Sequence, residues 1–484
     1  MTLAADLEVA FHPRSIAIIG VSRNDTGDVP GYTGLRFLRS YRDSFKGHLY
    51  PINPKADSIA NIKAYPSLAA VPEPLDLVVV ALPAEAVPKV LEDCIAVKAR
   101  NVHICSSGFG ETGESHRQEL ERTIRDIALR GGLRVIGPNA MGLHVPSSGL
   151  KMFEDVPLVD GPVAFITQSG TIAMEYLKSG PTFGFGFSKM ISFGNALTLD
   201  STDFLEYLAT DKDTEIICMY LEGVKDGRRL TRLVRELSPK KPILIWKAGL
   251  TSPGARAAAS HTGSLTGHTQ IWSAFFKQTG AIKVDSIAEM AEVAMTFFKL
   301  KPSARMNVAL LVPGGGPTVT SGDICAEEGL DCPALSQDTQ TKLKEFMSSV
   351  NQGLSNPMDV PGIMSKASLL QQTLELLAVD PVIDIIILHM PSNAFIIWGG
   401  KWADEFKECI LRFNRENQAG KSAVIALHDQ FHVGDNEKVA QELRGYGLTA
   451  YGSLRDACRA LKRFADYHKH MAEALCAGTM SRNV

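Results

Sequence analysis

Short, almost uninterrupted apolar runs punctuate the chain, and between them apolar positions recur at helical spacing. Over the first part these runs are 15–19, 48–52, 77–81, 102–105 and 134–136. A strand half exposed to water alternates polar with apolar residues, so continuous runs are strands covered on both faces, as in a parallel sheet. With right-handed crossovers they predict a doubly wound domain over 1–145. A second series, 163–166, 188–192, 215–220 and 243–246, predicts another such unit within 150–302. A third, 308–312, 383–388 and 423–427, predicts one within 304–468, followed by a polar tail, 469–484. Helical spacing is clearest over 172–178, 269–276, 319–328 and 454–468. The fold class expected is α/β, with parallel sheets repeated in three tandem units.

Composition narrows the setting. A length of 484 residues suits about three domains, and 45% hydrophobic with 21% charged residues is globular. The net charge of −3 supplies no basic footprint for nucleic acid. The first ten residues lack the apolar core of a signal peptide. No apolar run approaches the ~20 residues of a membrane span. The eight cysteines form no CxxC pair, and Cys105 and Cys218 lie in strand runs. Reduced, packed thiols in a cytoplasmic protein are expected, with no metal site.

The strand ends carry the candidate chemistry. In a doubly wound sheet the ligand lies beyond the carboxyl ends of the strands. Those ends here hold Gly20, Ser22 and Arg23; Asn53 and Lys55; Pro83; Ser106, Ser107 and Gly108; and Asn139. A nicotinamide site wants G-x-G-x-x-G and, ~20 residues later, an acid for the ribose hydroxyls. Only Gly20 of that triplet is present, and the second strand ends in Asn53-Pro54-Lys55. A lysine there suits a phosphorylated ribose, so coenzyme A fits better than NAD. In the second unit, the run into Gln168-Ser169-Gly170-Thr171 opens a helix whose first amides and dipole face an anion. Glu222 ends another strand of that unit and could orient an imidazole, leaving its second nitrogen nucleophilic. That imidazole would be His261, expected in a loop of small residues, 258–267, between the strand 242–246 and the helix 269–276. The third unit repeats a glycine-rich turn into a helix at Gly314, Gly315 and Gly316.

Taken in order, Tyr50-Pro51-Ile52-Asn53-Pro54-Lys55, Gly137-Pro138-Asn139, Gln168-Ser169-Gly170, Glu222-Gly223-Val224-Lys225-Asp226-Gly227, Ser260-His261-Thr262-Gly263 and Asn356-Pro357-Met358-Asp359-Val360 carry a resemblance. The chain resembles the alpha subunit of an ADP-forming acyl-CoA synthetase, a relative of succinyl-CoA synthetase, over nearly its whole length. The resemblance implies a Rossmann-like CoA-binding domain followed by two flavodoxin-like ligase domains. It also implies that His261 is transiently phosphorylated and that Glu222 orients it. Ser169, Gly170 and Thr171 would start one helix facing the phosphate, and Gly315 and Gly316 a second. A phosphohistidine carries nearly two negative charges, which two helix starts hold without a bulky cation.

Two positions depart from the family pattern: Pro313 stands in the turn before the second helix, and Ala140 follows Gly137-Pro138-Asn139. The resemblance further implies that ATP or ADP, with Mg2+, is bound by an ATP-grasp beta subunit, because no such module is read in this chain. The partners expected are therefore that subunit, a small carboxylic acid, its CoA thioester and phosphate, in a hetero- or homo-oligomer. The alternative is a CoA- or acyl-CoA-binding regulatory protein of the same fold without turnover. No stretch specifies the acyl group.

Overall fold

The structure, a computed structural model, describes residues 2–22, 33–262, 269–348, 353–364, 366–397, 399–429 and 435–476, without the side chains of 258–262, 364 and 397. It divides into two compact units, Met1–Pro181 with Phe185–Ile287, and Thr182–Gly184 with Ala288–Val484.

The first unit contains two sheets. Strands β1 (Ser15–Ile19) and β2 (His48–Ile52) are followed by a small antiparallel hairpin of β3 (Ser58–Ile59) and β4 (Ile62–Lys63), then β5 (Leu77–Val80), β6 (Asn101–Ile104) and β7 (Arg134–Ile136). The five longer strands form a parallel sheet in the order β2-β1-β5-β6-β7. Ile16, Ile18, Leu77 and Val79 enter one apolar cluster, while Ala17, Ile19, Val78 and Val80 enter another. Both faces are thus covered, which is why these strands are continuous apolar runs. The next sheet comprises β8 (Gly142–His144), β9 (Asp160–Thr167), β10 (Phe187–Ser192), β11 (Ile216–Leu221), β12 (Ile243–Lys247) and β13 (Ile282–Val284), in the order β13-β12-β11-β9-β10-β8. It is not wholly parallel: β8, absent from the sequence expectation, pairs antiparallel with β10. Ala164, Ile166, Ile217 and Ile245 share a cluster with the first sheet's Ile16 and Val79, so one core joins the two sheets.

In the second unit β14 (Val308–Val312), β15 (Met358–Asp359), β16 (Ile385–Pro391), β17 (Ser422–His428) and β18 (Ala450–Tyr451) form a parallel sheet ordered β15-β14-β16-β17-β18. Its core is built by Ala309, Leu311, Ile386, Leu388, Ile425 and the helices packed on them. The helix expected over 454–468 runs on to Cys476, so the expected tail begins inside a helix.

One local expectation is corrected. His261 was expected in a loop, but the backbone of Ser252–Thr262 is helical and places it in the last turn. The reason lies in the sequence: Thr251 Oγ1 accepts from Gly254 N–H at 3.2 Å, Pro253 stands at a helix start, and Ala255, Ala257, Ala258 and Ala259 are strong helix formers. Residues 263–268 lie outside the described residues.

Candidate functional site

Each sheet has a point where the strand order reverses, and there the two neighbouring strand ends separate into a crevice. In the first sheet the reversal falls between β1 and β5. Gly20, at φ +90°, comes so close to the next strand end that a Cβ there would lie 2.0 Å from the Ala81 carbonyl oxygen. Only glycine fits this approach. Asn53 is occupied in shaping its loop: its amide donates to the Val21 carbonyl at 2.7 Å, and its Oδ1 accepts from Lys55 N–H at 2.8 Å. That leaves the Lys55 side chain exposed beside the crevice, with Ser22, Pro83 and Ser107 exposed as well.

The loop after β6 is more committed than its glycine and serines suggest. Gly108 N–H donates to Glu111 Oε1 at 2.5 Å, and Gly110 N–H to Glu121 Oε2 at 3.0 Å. Asn195, from the loop after β10, donates to both acids at 2.7 and 2.8 Å. Gly108 therefore has no free amide to offer a ligand, whereas Ser106 Oγ is buried without a hydrogen-bond partner. An orphaned hydroxyl at this strand end fits a crevice that takes a polar ligand. Asn139, at φ +57°, donates its backbone N–H to the Ser106 carbonyl at 2.8 Å. Below it, burial pushes the His103 imidazole down to about 4, while its Nε2 meets the Ala140 carbonyl at 2.9 Å. Arg23 lies outside the described residues.

In the second sheet the reversal falls between β9 and β11. Gln168, just past β9, bridges it: its Oε1 accepts from Glu222 N–H at 2.6 Å and Gly223 N–H at 3.0 Å. Thr167 Oγ1 takes Ser169 N–H at 3.0 Å, and Ser169 Oγ meets Ile172 N–H at 3.4 Å, so the hydroxyls cap the helix Gly170–Thr182. The amides of Gly170 and Thr171 have no acceptor among the described residues. Glu222 is buried, and Tyr220 donates its hydroxyl to Glu222 Oε1 at 3.3 Å. Burial and that carboxylate push the Tyr220 hydroxyl well above its ordinary range. At the end of β12 the Lys247 ammonium donates to the Glu222 carbonyl at 2.8 Å and also meets the Ala248 carbonyl. Burial lowers it to about 8, and the charge of Glu222 works against that shift. The chain then enters Ser252–Thr262, which lies against the short turn Gly110–Thr112 beside the first sheet's crevice.

Ser169, Gly170, Thr171 and Glu222 are thus gathered at one reversal point, and the strand leading toward His261 ends beside Glu222. The side chain of His261 lies outside the described residues. Gly315 and Gly316 belong to the other unit, where they open the helix Gly315–Glu327. There Asp359 already caps the turn, its Oδ1 accepting from Gly314 N–H at 2.9 Å. Sequence reasoning missed Lys247, Asn195, Glu111 and Glu121. Lys247 did leave a signal, a cation ending an otherwise apolar strand. Among the described residues, no group of three or more His, Cys, Asp or Glu is placed to hold a metal ion. None of their helices is long and apolar enough to cross a membrane. All eight cysteines are free thiols.

Comparison with known proteins agrees with this layout. Residues 14–146 match a CoA binding domain, and residues 160–297 a succinyl-CoA ligase like flavodoxin domain. The chain is 35% identical over 454 residues to the acetate–CoA ligase (ADP-forming) II subunit alpha of Pyrococcus furiosus, covering 94% of this chain and 96% of that one. It is 33% identical over 468 residues to acetate–CoA ligase (ADP-forming) I of Archaeoglobus fulgidus, of whose length it spans 64%. A solved structure of the Ca. Korarchaeum cryptofilum dinucleotide forming acetyl-coenzyme A synthetase 1, in complex with phosphate and ADP, superposes with a TM-score of 0.84 at 27% identity, over 98% of this chain and 99% of that one. The chain belongs to the family of ADP-forming acetate–CoA ligases.

Proposed function

We propose that the chain is the alpha subunit of an ADP-forming acid–CoA ligase. The reaction interconverts acyl-CoA, ADP and phosphate with a carboxylic acid, CoA and ATP, through an acyl phosphate and a phosphohistidine. The observation that carries this reading is the second sheet's reversal point. There a buried acid, two open helix-start amides and the strand leading toward His261 meet within one unit. His261 is the nucleophile that carries the phosphoryl group, and Glu222 fixes its tautomer and stabilises its charge. Ser169, Gly170 and Thr171 receive the phosphate at the positive end of their helix. Gly315 and Gly316 open a second phosphate-binding helix start, their amides without an acceptor among the described residues and the turn before them held by Asp359.

CoA is assigned to the first sheet's crevice, with Gly20, Ser22, Arg23, Asn53, Lys55, Pro83, Ser106, Ser107 and Asn139 around it. Gly108 shapes the loop. The domains are read as 1–145 for CoA, 150–302 for the phosphohistidine and 304–468 for a second ligase domain. ATP or ADP, with Mg2+, is assigned to an ATP-grasp beta subunit in a cytoplasmic hetero-oligomer, and the acid is a small carboxylate.

The decisive experiment uses acetyl-CoA and radiolabelled phosphate, or ATP with the partner subunit. An acid-labile, base-stable label is expected on His261, and His261→Asn should lose label and turnover while CoA binding survives. A label on Ser260, Ser169 or His268 would refute the assignment. Glu222→Gln should be milder, a loss of up to about four orders of magnitude, since an orienting carboxylate forms no bond to the phosphate. In the CoA crevice, Lys55→Ala should weaken CoA by about 2 kcal/mol, the scale of one charge-assisted hydrogen bond, and dephospho-CoA should discriminate less between the two proteins in titration calorimetry.

A further inference from the structure

Lys247 ends a buried strand, yet it is a lysine. It is 5% exposed, and lysines are almost never that deeply buried unless their charge is met. Ile243, Leu244 and Ile245 before it are fully buried and apolar, so packing alone would be served by another aliphatic residue. Its nitrogen lies 5.4 Å from the centroid of the Trp272 ring and donates to the carbonyls of Glu222 and Ala248.

The position of those carbonyls matters more than their number. Glu222 N–H is held by Gln168 Oε1 from one side at 2.6 Å, and Glu222 C=O by Lys247 from the other at 2.8 Å. The acid's backbone is therefore clamped at both ends, by side chains from two different strand ends. Ala248, the second carbonyl on the ammonium, also donates its N–H to the Leu221 carbonyl at 3.0 Å, which extends the pairing of β11 with β12 by one residue. Past Ala248 the chain turns at Gly249 and Leu250, whose carbonyl accepts from Thr269 Oγ1 at 3.1 Å, and enters Ser252–Thr262. One ammonium thus ties the acid-bearing turn to the root of the segment that contains His261.

We infer that Lys247 is a positioning residue for phosphoryl transfer: it acts through Glu222, holding the acid's backbone against the chain that leads to His261. This inference rests on the reading of Glu222 and His261 given above. A displacement of about 1 Å in such a constellation costs on the order of a hundredfold in rate. The ammonium keeps its proton at neutral pH, since burial lowers it only to about 8.

The test measures single-turnover labelling of the full chain with acetyl-CoA and radiolabelled phosphate. Lys247→Met should slow labelling about a hundredfold, with the half-saturating phosphate and CoA concentrations within threefold of wild type. Lys247→Arg, which keeps the charge and several donors, should recover most of the rate. The double variant with Glu222→Gln should be no slower than Glu222→Gln alone, because two residues acting through one path do not add. A merely structural lysine would give additive losses, and that result overturns the inference, as does wild-type labelling in Lys247→Met. Should Lys247→Met fail to fold by circular dichroism, the same cycle with Lys247→Gln, which removes the charge but keeps a polar side chain, and Glu222→Gln decides between additivity and its absence. If the wild-type chain carries no label on His261, the proposed function fails, whatever Lys247 does.

Discussion

At the second sheet's reversal point the helix Gly170–Thr182 begins with two amides that have no acceptor among the described residues, and the acid beside it, Glu222, belongs to the neighbouring strand end. At the third sheet's reversal point the helix Gly315–Glu327 follows a strand in the same way, but the edge strand β15 sends Asp359 onto the Gly314 amide. The charged and titratable groups nearby differ too. Lys247 places a cation at the end of β12 in the second sheet. In the third, His389 and His428 pack edge to face with ring centroids 4.6 Å apart, and burial holds His389 at about 3 and lowers His428. Two glycine-bearing turns into helices, alike in sequence, therefore differ in what they leave for an anion. The first leaves its amides open beside a clamped acid. The second also leaves the amides of Gly315 and Gly316 without an acceptor among the described residues, but a carboxylate caps the turn just before them and neutral rings flank it. A helix start favours anions only while no side chain has taken that place.

The largest effect expected from this contrast comes from converting the first arrangement into the second. Thr171 is exposed in the first turn of its helix, so Thr171→Asp adds a carboxylate there without disturbing the core. The helix should be slightly stabilised, by about 0.5 kcal/mol. Phosphohistidine formation should fall on the order of a hundredfold, the scale of losing one group that stabilises a charged transition state. Labelling with radioactive phosphate checks the second outcome and thermal melting the first. An unchanged labelling rate would break the comparison at its stronger end.

Next in size is the acid response of the third sheet. Ser321 Oγ donates its single hydrogen to the Pro317 carbonyl at 2.6 Å, so in the 2.7 Å contact with His389 the imidazole Nδ1 is the donor, and burial keeps the ring neutral. Held at about 3 against an ordinary value of 6.5, His389 resists a proton that the unfolded chain accepts. The stability this contributes is fully present above pH 6.5 and is lost as pH falls from 6.5 toward 3. At pH 5 the loss should be about 2 kcal/mol relative to pH 7. His389→Asn should remove that share of the pH dependence in urea unfolding, whatever it costs at pH 7.

The twelve strands that were expected fall within three residues of their observed bounds, because most of their positions are buried on both faces. Ile16 and Ala17, on opposite faces of β1, are both fully covered, and no polar face interrupts the run. β3, β4, β8, β13, β15 and β18 were not legible, since two or three residues each carry too little pattern. The stretch 258–262, read as part of a loop over 258–267, is helical because its alanines carry helical propensity without a wide apolar face, while the serine and glycines around them signal a turn. Within the site, Glu222 and Ser169 could be read from their places at strand ends. Lys247 left only the mark of a cation ending an apolar run, and its role was not legible because its partners are backbone carbonyls. Asp359 was quoted within a motif, but its bond to an amide 45 residues away is a product of the parallel pairing of β14 with β15.

That bond gives the smallest effect, and the one that bears most directly on the contrast. Asp359→Asn keeps an oxygen where Oδ1 now accepts from Gly314 N–H, and removes only the charge. The backbone around it is fixed independently: Asp359 exchanges both main-chain hydrogen bonds with Gly353, at 2.9 and 3.0 Å. Folding stability should therefore drop by no more than about 0.3–1 kcal/mol, the worth of one charge at a helix start. If the carboxylate is what closes this turn to anions, removing it should let inorganic phosphate bind more tightly by a similar amount, a change of a few fold in titration calorimetry. Labelling on His261 should stay within about threefold of wild type, since half a kcal/mol changes a rate by roughly that factor. A hundredfold loss of labelling in Asp359→Asn would show that this acid serves the reaction, and the contrast drawn between the two helix starts would fail.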